Sequence, residues 1–355
     1  MFQNKMLKMG NSIIKGYPNY AGIFSIADAY NIKYKEWLLS HFIQLQVFNN
    51  ERMGLRIDYA VPNIWSTFPW IAVETISRKT IERNWHSYIE FSKEMINDNK
   101  YVMSLIDTTS LSQWETVNNT QPLRECLLTG YIHPHNAFTF YGNVGIGKYQ
   151  KSYITFEDYE QTNRAILEQK HCDWLSGIML LSKRTLFDFG LYDYREEYMY
   201  YFNKPLFGTL LQDFLNEYPS AVRWTTTSIF YDRKNISDYI SWGIGVYDVI
   251  SKHIFFEHKN KGQIDLRGLY ILAEHKKIII EATKLIPLSN TLKNQIFYEL
   301  QCILNYSKQL LNLAIKYNIK RDSYIIERMN QTISTIKEME KLCYPKIIES
   351  VKLFL

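Results

Sequence analysis

Past residue 20, apolar side chains recur at three- and four-residue intervals. Ile23, Ile26, Ala27 and Tyr30 share one face of a predicted helix. Pro18 disfavours helix at Tyr17 and Asn19 is a suitable N-cap, so residues 16–20 read as a loop turning into helix at about residue 20. The same period, with Trp37, Leu38, His41, Phe42, Leu45 and Phe48 on one face, predicts a second helix over 32–49. A short strand is predicted over 54–59, an aromatic loop over 65–70, and a helix over 77–93 that contains Trp85 and His86.

From residue 100 the period changes. Residues 101–106 are almost all apolar, 136–141 alternate aromatic with small or polar residues, and 148–155 form a third predicted strand. Thr155, with Asp158 three residues on, resembles a capping box and opens a helix to about residue 168. Beyond 170 the helical period takes over, at 244–258, 266–285, 290–317 and 321–343, with Pro345 the predicted stop. The pattern therefore predicts an α+β domain over 1–170 and a mainly helical domain over 171–355 packed against it.

Composition narrows this picture. With 46% apolar and 22% charged residues, the 355-residue chain is long enough to bury substantial cores. A net charge of +5 without a block of basic residues predicts neither a nucleic-acid arm nor a membrane anchor. The N-terminus lacks the apolar segment of a signal peptide, and no run of 18 apolar residues occurs, which predicts a cytoplasmic protein. Cys126, Cys172, Cys302 and Cys343 follow no zinc or redox spacing and read as reduced thiols; no metal site is predicted.

Two motifs carry candidate chemistry. Gly142 to Lys148 satisfies G-x-x-x-x-G-K, but Tyr149 replaces the hydroxyl ligand for Mg²⁺ and a strand follows, so a hairpin turn is the expected structure. His133 and His135 precede a strand without further ligands nearby, which disfavours metal. A histidine at that place can instead act as a general base facing a helix that starts with a nucleophile.

The order of elements is a helix starting at Asn19 to Ala21, a strand ending in Ile106-Asp107, the stretch from His135 to Gly142, Tyr153 to Asp158, and a helical remainder. This order resembles the papain-like acyltransferases of the butirosin biosynthesis protein H type. It is also similar to the cysteine-protease homologue that forms amide bonds in closthioamide assembly. The likeness covers residues 15–170 and, loosely, the helical part.

The resemblance implies a papain-like fold and transfer of an acyl or peptidyl group from a carrier-protein thioester to a small amine. No cofactor of its own is implied, since phosphopantetheine arrives on the carrier protein. Carried over by position, Ala21 stands where the nucleophilic cysteine is expected. His135 matches the base, Asp107 is the first choice for the orienting carboxylate, and Asn143 is the second. Tyr17, Tyr20, Trp65 and Trp70 are the expected pocket aromatics. With alanine at 21 no acyl-enzyme can form there. Three explanations stand open: a cysteine exchanged for alanine, a natural pseudoenzyme that only binds its carrier protein, or an ordinary helix. A peptidase or thioesterase-like hydrolase is the rival enzyme.

Overall fold

The computed structural model describes residues 4–48, 54–107, 123–144, 148–168, 173, 175–184, 200–224 and 240–352. The glycine-rich turn 145–147, Cys172 and the predicted boundary at 170/171 lie outside the described residues. The structure is mixed α+β, with an antiparallel sheet and a helical C-terminal region, as the pattern predicts.

In chain order the elements begin with β1 (Lys5–Met6), α1 (Pro18–Ala29), α2 (Lys35–His41), β2 (Leu45–Phe48), β3 (Ile57–Tyr59), α3 (Ile64–Thr67) and β4 (Ile71–Ile76). Next come α4 (Arg78–Asn84), α5 (Tyr88–Asn97), β5 (Tyr101–Asp107), β6 (Leu123–Ile132), β7 (Ala137–Val144), β8 (Lys148–Thr155), α6 (Phe156–Glu168) and β9 (Ile178–Lys183). The remainder holds α7 (Lys204–Leu215), β10 (Ile240–Trp242), α8 (Val246–Lys259), α9 (Leu266–Thr283), α10 (Asn290–Lys320) and α11 (Ser323–Lys352). Contacts divide the chain into two units, Met1–Ile32 with Ile64–Tyr198 and Lys33–Asn63 with Met199–Leu355.

The first unit is built on a seven-stranded antiparallel sheet in the order β4-β9-β5-β6-β7-β8, with β1 beside β6. Side-chain alternation gives it two apolar faces. Val102, Ile106, Cys126, Leu128, Phe138 and Phe140 pack with Phe91 of α5 and Tyr159 of α6 on one of them. The opposite face carries α1. A Cβ built on Gly22 would sit 3.2 Å from Leu127 Cδ2 and 3.3 Å from Met103 Cε, so glycine lets this helix lie close on the sheet. Pro18 and every residue from Tyr20 to Ala27 are buried, which makes α1 a core helix.

Several elements depart from the sequence pattern. The predicted helix over 77–93 is two, each N-capped by a serine: Ser77 accepts from Thr80 N–H and Ser87 from Glu90 N–H. The 32–49 segment is α2 followed by a strand, because Leu45 and Val47 alternate and β2 pairs with both β3 and β10. Strands β4, β6 and β9 went unpredicted, and Cys126 lies inside β6. Pro345 does not end α11, which runs on to Lys352 with Tyr344, Ile347, Ile348 and Val351 buried around it. Packing of those side chains offsets the hydrogen bond that proline removes.

The second unit sets the three-stranded sheet β10-β2-β3 among the C-terminal helices, with α9 packed against α10 and α10 against α11. Its core holds a charged cluster. Lys276 Nζ lies 2.5 Å from Glu340 Oε1, with side chains 1% and 0% exposed. Tyr344 donates to the same oxygen at 2.8 Å, and Lys276 sits over the Phe214 ring at 5.0 Å. Lys276 donates to His275 Nδ1 at 3.0 Å, so the other ring nitrogen carries the proton and donates to Ile43 O at 2.6 Å.

Burial, then the neighbouring Lys276 charge, hold the His275 pKa well below the ordinary value. The native state keeps this ring neutral while the unfolded chain takes up a proton near pH 6.5. Stability is therefore whole above that pH and is lost as pH falls toward the native pKa, by about 1.4 kcal/mol per unit for one proton. Burial lowers His41 and His253 as well, with the same sign. Urea unfolding at pH 8, 7, 6 and 5 is expected to show a flat region followed by a fall below about 6.5. A midpoint constant from pH 7 to 5 contradicts the assignment.

Candidate functional site

The helix α1 begins about two residues earlier than its sequence suggests. Tyr17 is the extended N-cap residue and Pro18 occupies the first helical position, where a fixed φ suits proline and no N–H is needed. Asn19 is therefore inside the first turn and is not the cap. Ala21 is the first residue whose amide joins the helical ladder, bonding to Tyr17 O at 3.0 Å, and its methyl is fully buried.

Beneath this helix start runs a row of side chains set by strand register. Leu105 of β5 pairs with Glu125 of β6, and Asn143 of β7 with Tyr149 of β8. The β6–β7 register, carried one residue past Cys126 and Gly142, sets Glu125 opposite Asn143. Two residues separate Glu125 from Leu127, whose side chain touches α1, so both point to the α1 face. Asn143 donates through Nδ2 to Gly16 O at 3.1 Å, and the Tyr149 hydroxyl lies 3.9 Å from a Cβ built on Gly22.

Polar atoms here outnumber their partners. Asn19 Oδ1, Asn143 Oδ1 and the Tyr149 hydroxyl are buried with no hydrogen-bond partner among the described residues. Tyr149 as a residue is only 9% exposed, and burial holds its phenol well above the ordinary pKa, so it stays protonated. Each buried polar atom left unmatched costs about 1–3 kcal/mol, so these three make the start of α1 a candidate place for a partner group.

The predicted site residues divide between the two ends of the sheet. Asn143 meets the chain just ahead of α1, at Gly16, and Ala21 lies in the first turn of that helix. Asp107 ends β5 opposite Leu123, on the same face and diagonal to Glu125, a separation of about 7–8 Å between such neighbours. His135 does not join them. It is exposed, in a helical turn over His133–His135 that precedes β7, whereas Asn143 lies near the far end of that strand. Six residues of strand separate Ala137 from Asn143, about 20 Å. His135 does precede a strand, as its sequence predicts, but the start of α1 meets the other end of that strand, at Asn143.

Tyr17 and Tyr20 flank the helix start, their ring centroids 6.4 Å apart. Trp70 is instead a core residue ahead of β4, edge-on to Phe68 at 5.1 Å, and Phe68 meets Phe24 of α1 at 5.5 Å. Trp65 lies half-buried on α3. Cys126 faces the opposite side of the sheet, where burial pushes its thiol well up, so it offers no thiolate beside α1. Among the described residues no three His, Cys, Asp or Glu side chains gather to hold a metal, and no helix is long and apolar enough to cross a membrane.

Sequence reasoning missed Glu125 and Tyr149. The available signal was parity with Leu127 and Asn143, but it becomes readable only once register links the three strands. The chain matches no protein-family model and no curated protein.

Proposed function

We propose that this chain is a papain-like protein of the acyl-transfer type that binds its ligand without forming an acyl-enzyme. The start of α1 receives an acyl or peptidyl group presented as a thioester on a carrier protein. The acceptor-rich row of Glu125 and Asn143, with Asp107 diagonal to it, holds amine or amide N–H groups of that ligand, and the Tyr149 hydroxyl donates to a carbonyl oxygen. The observation that carries this reading is the pair of buried, unmatched atoms on Asn143 and Tyr149, one residue bonded to Gly16 O and the other under Gly22, at the helix whose first turn holds Asn19 and Ala21. Support for the ligand class comes from the order of elements shared with the papain-like acyltransferases. Against turnover stand Ala21, which offers no thiol, and the place of His135 at the other end of β7.

The test uses aminoacyl-pantetheine thioesters as probes. The full chain is expected to bind them saturably by calorimetry, and Asn143→Leu and Tyr149→Phe each to weaken binding about five- to tenfold, as loss of one hydrogen bond does. Intact-protein mass spectrometry of Ala21→Cys is expected to show no acyl adduct, with or without an amine. Absence of binding by every probe defeats the binding reading. An adduct at position 21 that amine discharges restores the acyltransferase, and one lost equally to water restores the hydrolase.

A further inference from the structure

The second unit contains a cavity of about 370 Å³, within the size range of small-molecule sites. One wall is a face of α8 carrying Asp248, Val249, Lys252, His253 and Phe256, at helical spacing. Phe48 of β2 and Leu55 form an apolar wall, and Glu217, in a left-handed backbone conformation after α7, supplies a carboxylate. The small residue Gly245 keeps room for that carboxylate: a Cβ there would lie 2.8 Å from Glu217 Oε2.

The charges lining the cavity are not equivalent. Asp248 is already paired with Lys337 at 2.7 Å. His253 accepts the Asp265 N–H at Nε2, which puts its proton on Nδ1, 4.0 Å from Glu257, and burial keeps the ring neutral. Glu217 and Lys252 are both exposed and form no ion pair or hydrogen bond among the described residues, with each other or with a third group. Opposite charges that share a cavity without neutralising one another leave space for a ligand bearing both complements.

We infer that this cavity binds a free α-amino acid with an apolar side chain, its ammonium on Glu217, its carboxylate on Lys252 and its side chain against Phe48, Leu55 and Phe256. A charged amine alone would leave Lys252 unmatched, and an N-acylated acid would leave Glu217 unmatched. Glycine would leave the apolar wall empty. The inference is independent of the α1 site.

Calorimetry on the full chain tests it with L-leucine, L-phenylalanine, phenethylamine, N-acetyl-phenylalanine and glycine. Leucine or phenylalanine is expected to bind, with the other three at least tenfold weaker. Glu217→Gln, Lys252→Gln and Phe256→Ala are each expected to weaken binding tenfold or more. All three side chains are exposed, and unchanged circular dichroism confirms that the variants fold. The inference is overturned if neither amino acid binds at millimolar concentration, if phenethylamine binds as well as phenylalanine, or if Glu217→Gln and Lys252→Gln bind as the parent does.

Discussion

Glu340→Leu is expected to lower the stability of the chain by about 3–5 kcal/mol, read as a drop in urea midpoint, because it leaves the Lys276 ammonium buried without its counter-ion. Among the described residues no other carboxylate is paired with Lys276. His275 offers one neutral nitrogen, and Phe214 and Tyr247 offer only their ring faces, at 5.0 and 5.5 Å. Burial already lowers the pKa of Lys276, and Glu340 is what holds the charge in place. Lys276→Met alone is expected to be costly for the converse reason, since Glu340 would lose its counter-ion and keep neutral donors such as the Tyr344 hydroxyl. The double variant removes both charges and is expected to recover most of the loss, because well-packed apolar side chains often match a buried ion pair. Single variants within about 1 kcal/mol of the parent would contradict the structure of this cluster.

The second large effect falls on the sheet unit. Arg78 opens α4 with its side chain 2% exposed and ties three elements together. Its guanidinium pairs with Asp173 and donates to Asn163 Oδ1 at 3.3 Å, Ser104 Oγ at 3.3 Å and Gly177 O at 3.4 Å. Ser104 in turn donates to Asn163 at 2.9 Å, so removing the arginine leaves a chain of polar groups unmatched. Arg78→Met is expected to cost about 3–5 kcal/mol. Arg78→Lys is expected to restore less than half, because a single ammonium cannot serve four acceptors that the planar fork reaches in different directions. Equal stability of the lysine variant and the parent would show that charge alone matters here.

Which parts were legible in the sequence follows from how local their signals are. The strands β5, β7 and β8, the Thr155 cap of α6 and the long C-terminal helices were readable because period and capping are properties of neighbouring residues; Thr155 Oγ1 does accept from Asp158 N–H, at 3.0 Å. The segment Leu45–Phe48 was not, since four apolar and polar residues fit either period until β3 and β10 flank them. Strand β9 is short, and only its pairing with β4 and β5 defines it. At the candidate site, Ala21 and Asn143 were legible as positions on a helix start and a hairpin. Glu125 was not, because its place depends on a register across β6 and β7 that no local pattern encodes, and the distance of His135 from the start of α1 depends on how that helix lies across the sheet.

The division of the chain has a consequence for its synthesis. Residues leave the sheet unit after Ile32 and return at Ile64, so α2, β2 and β3 are made long before β10 and α9, the partners of their unit. The sheet unit has all of its chain once residue 198 is made, while Leu38, Phe42, Val47, Ile57 and Tyr59, all buried in the finished protein, still lack their covering helices. Domains assemble as units in the order they leave the ribosome, and apolar segments kept waiting are the ones that aggregate. A fragment ending at 198 strands that apolar segment for good, and a fragment starting at 199 lacks the hairpin its β10 pairs with. For this chain, the 33–63 segment must travel with the C-terminal helices in any dissection that is to yield folded parts.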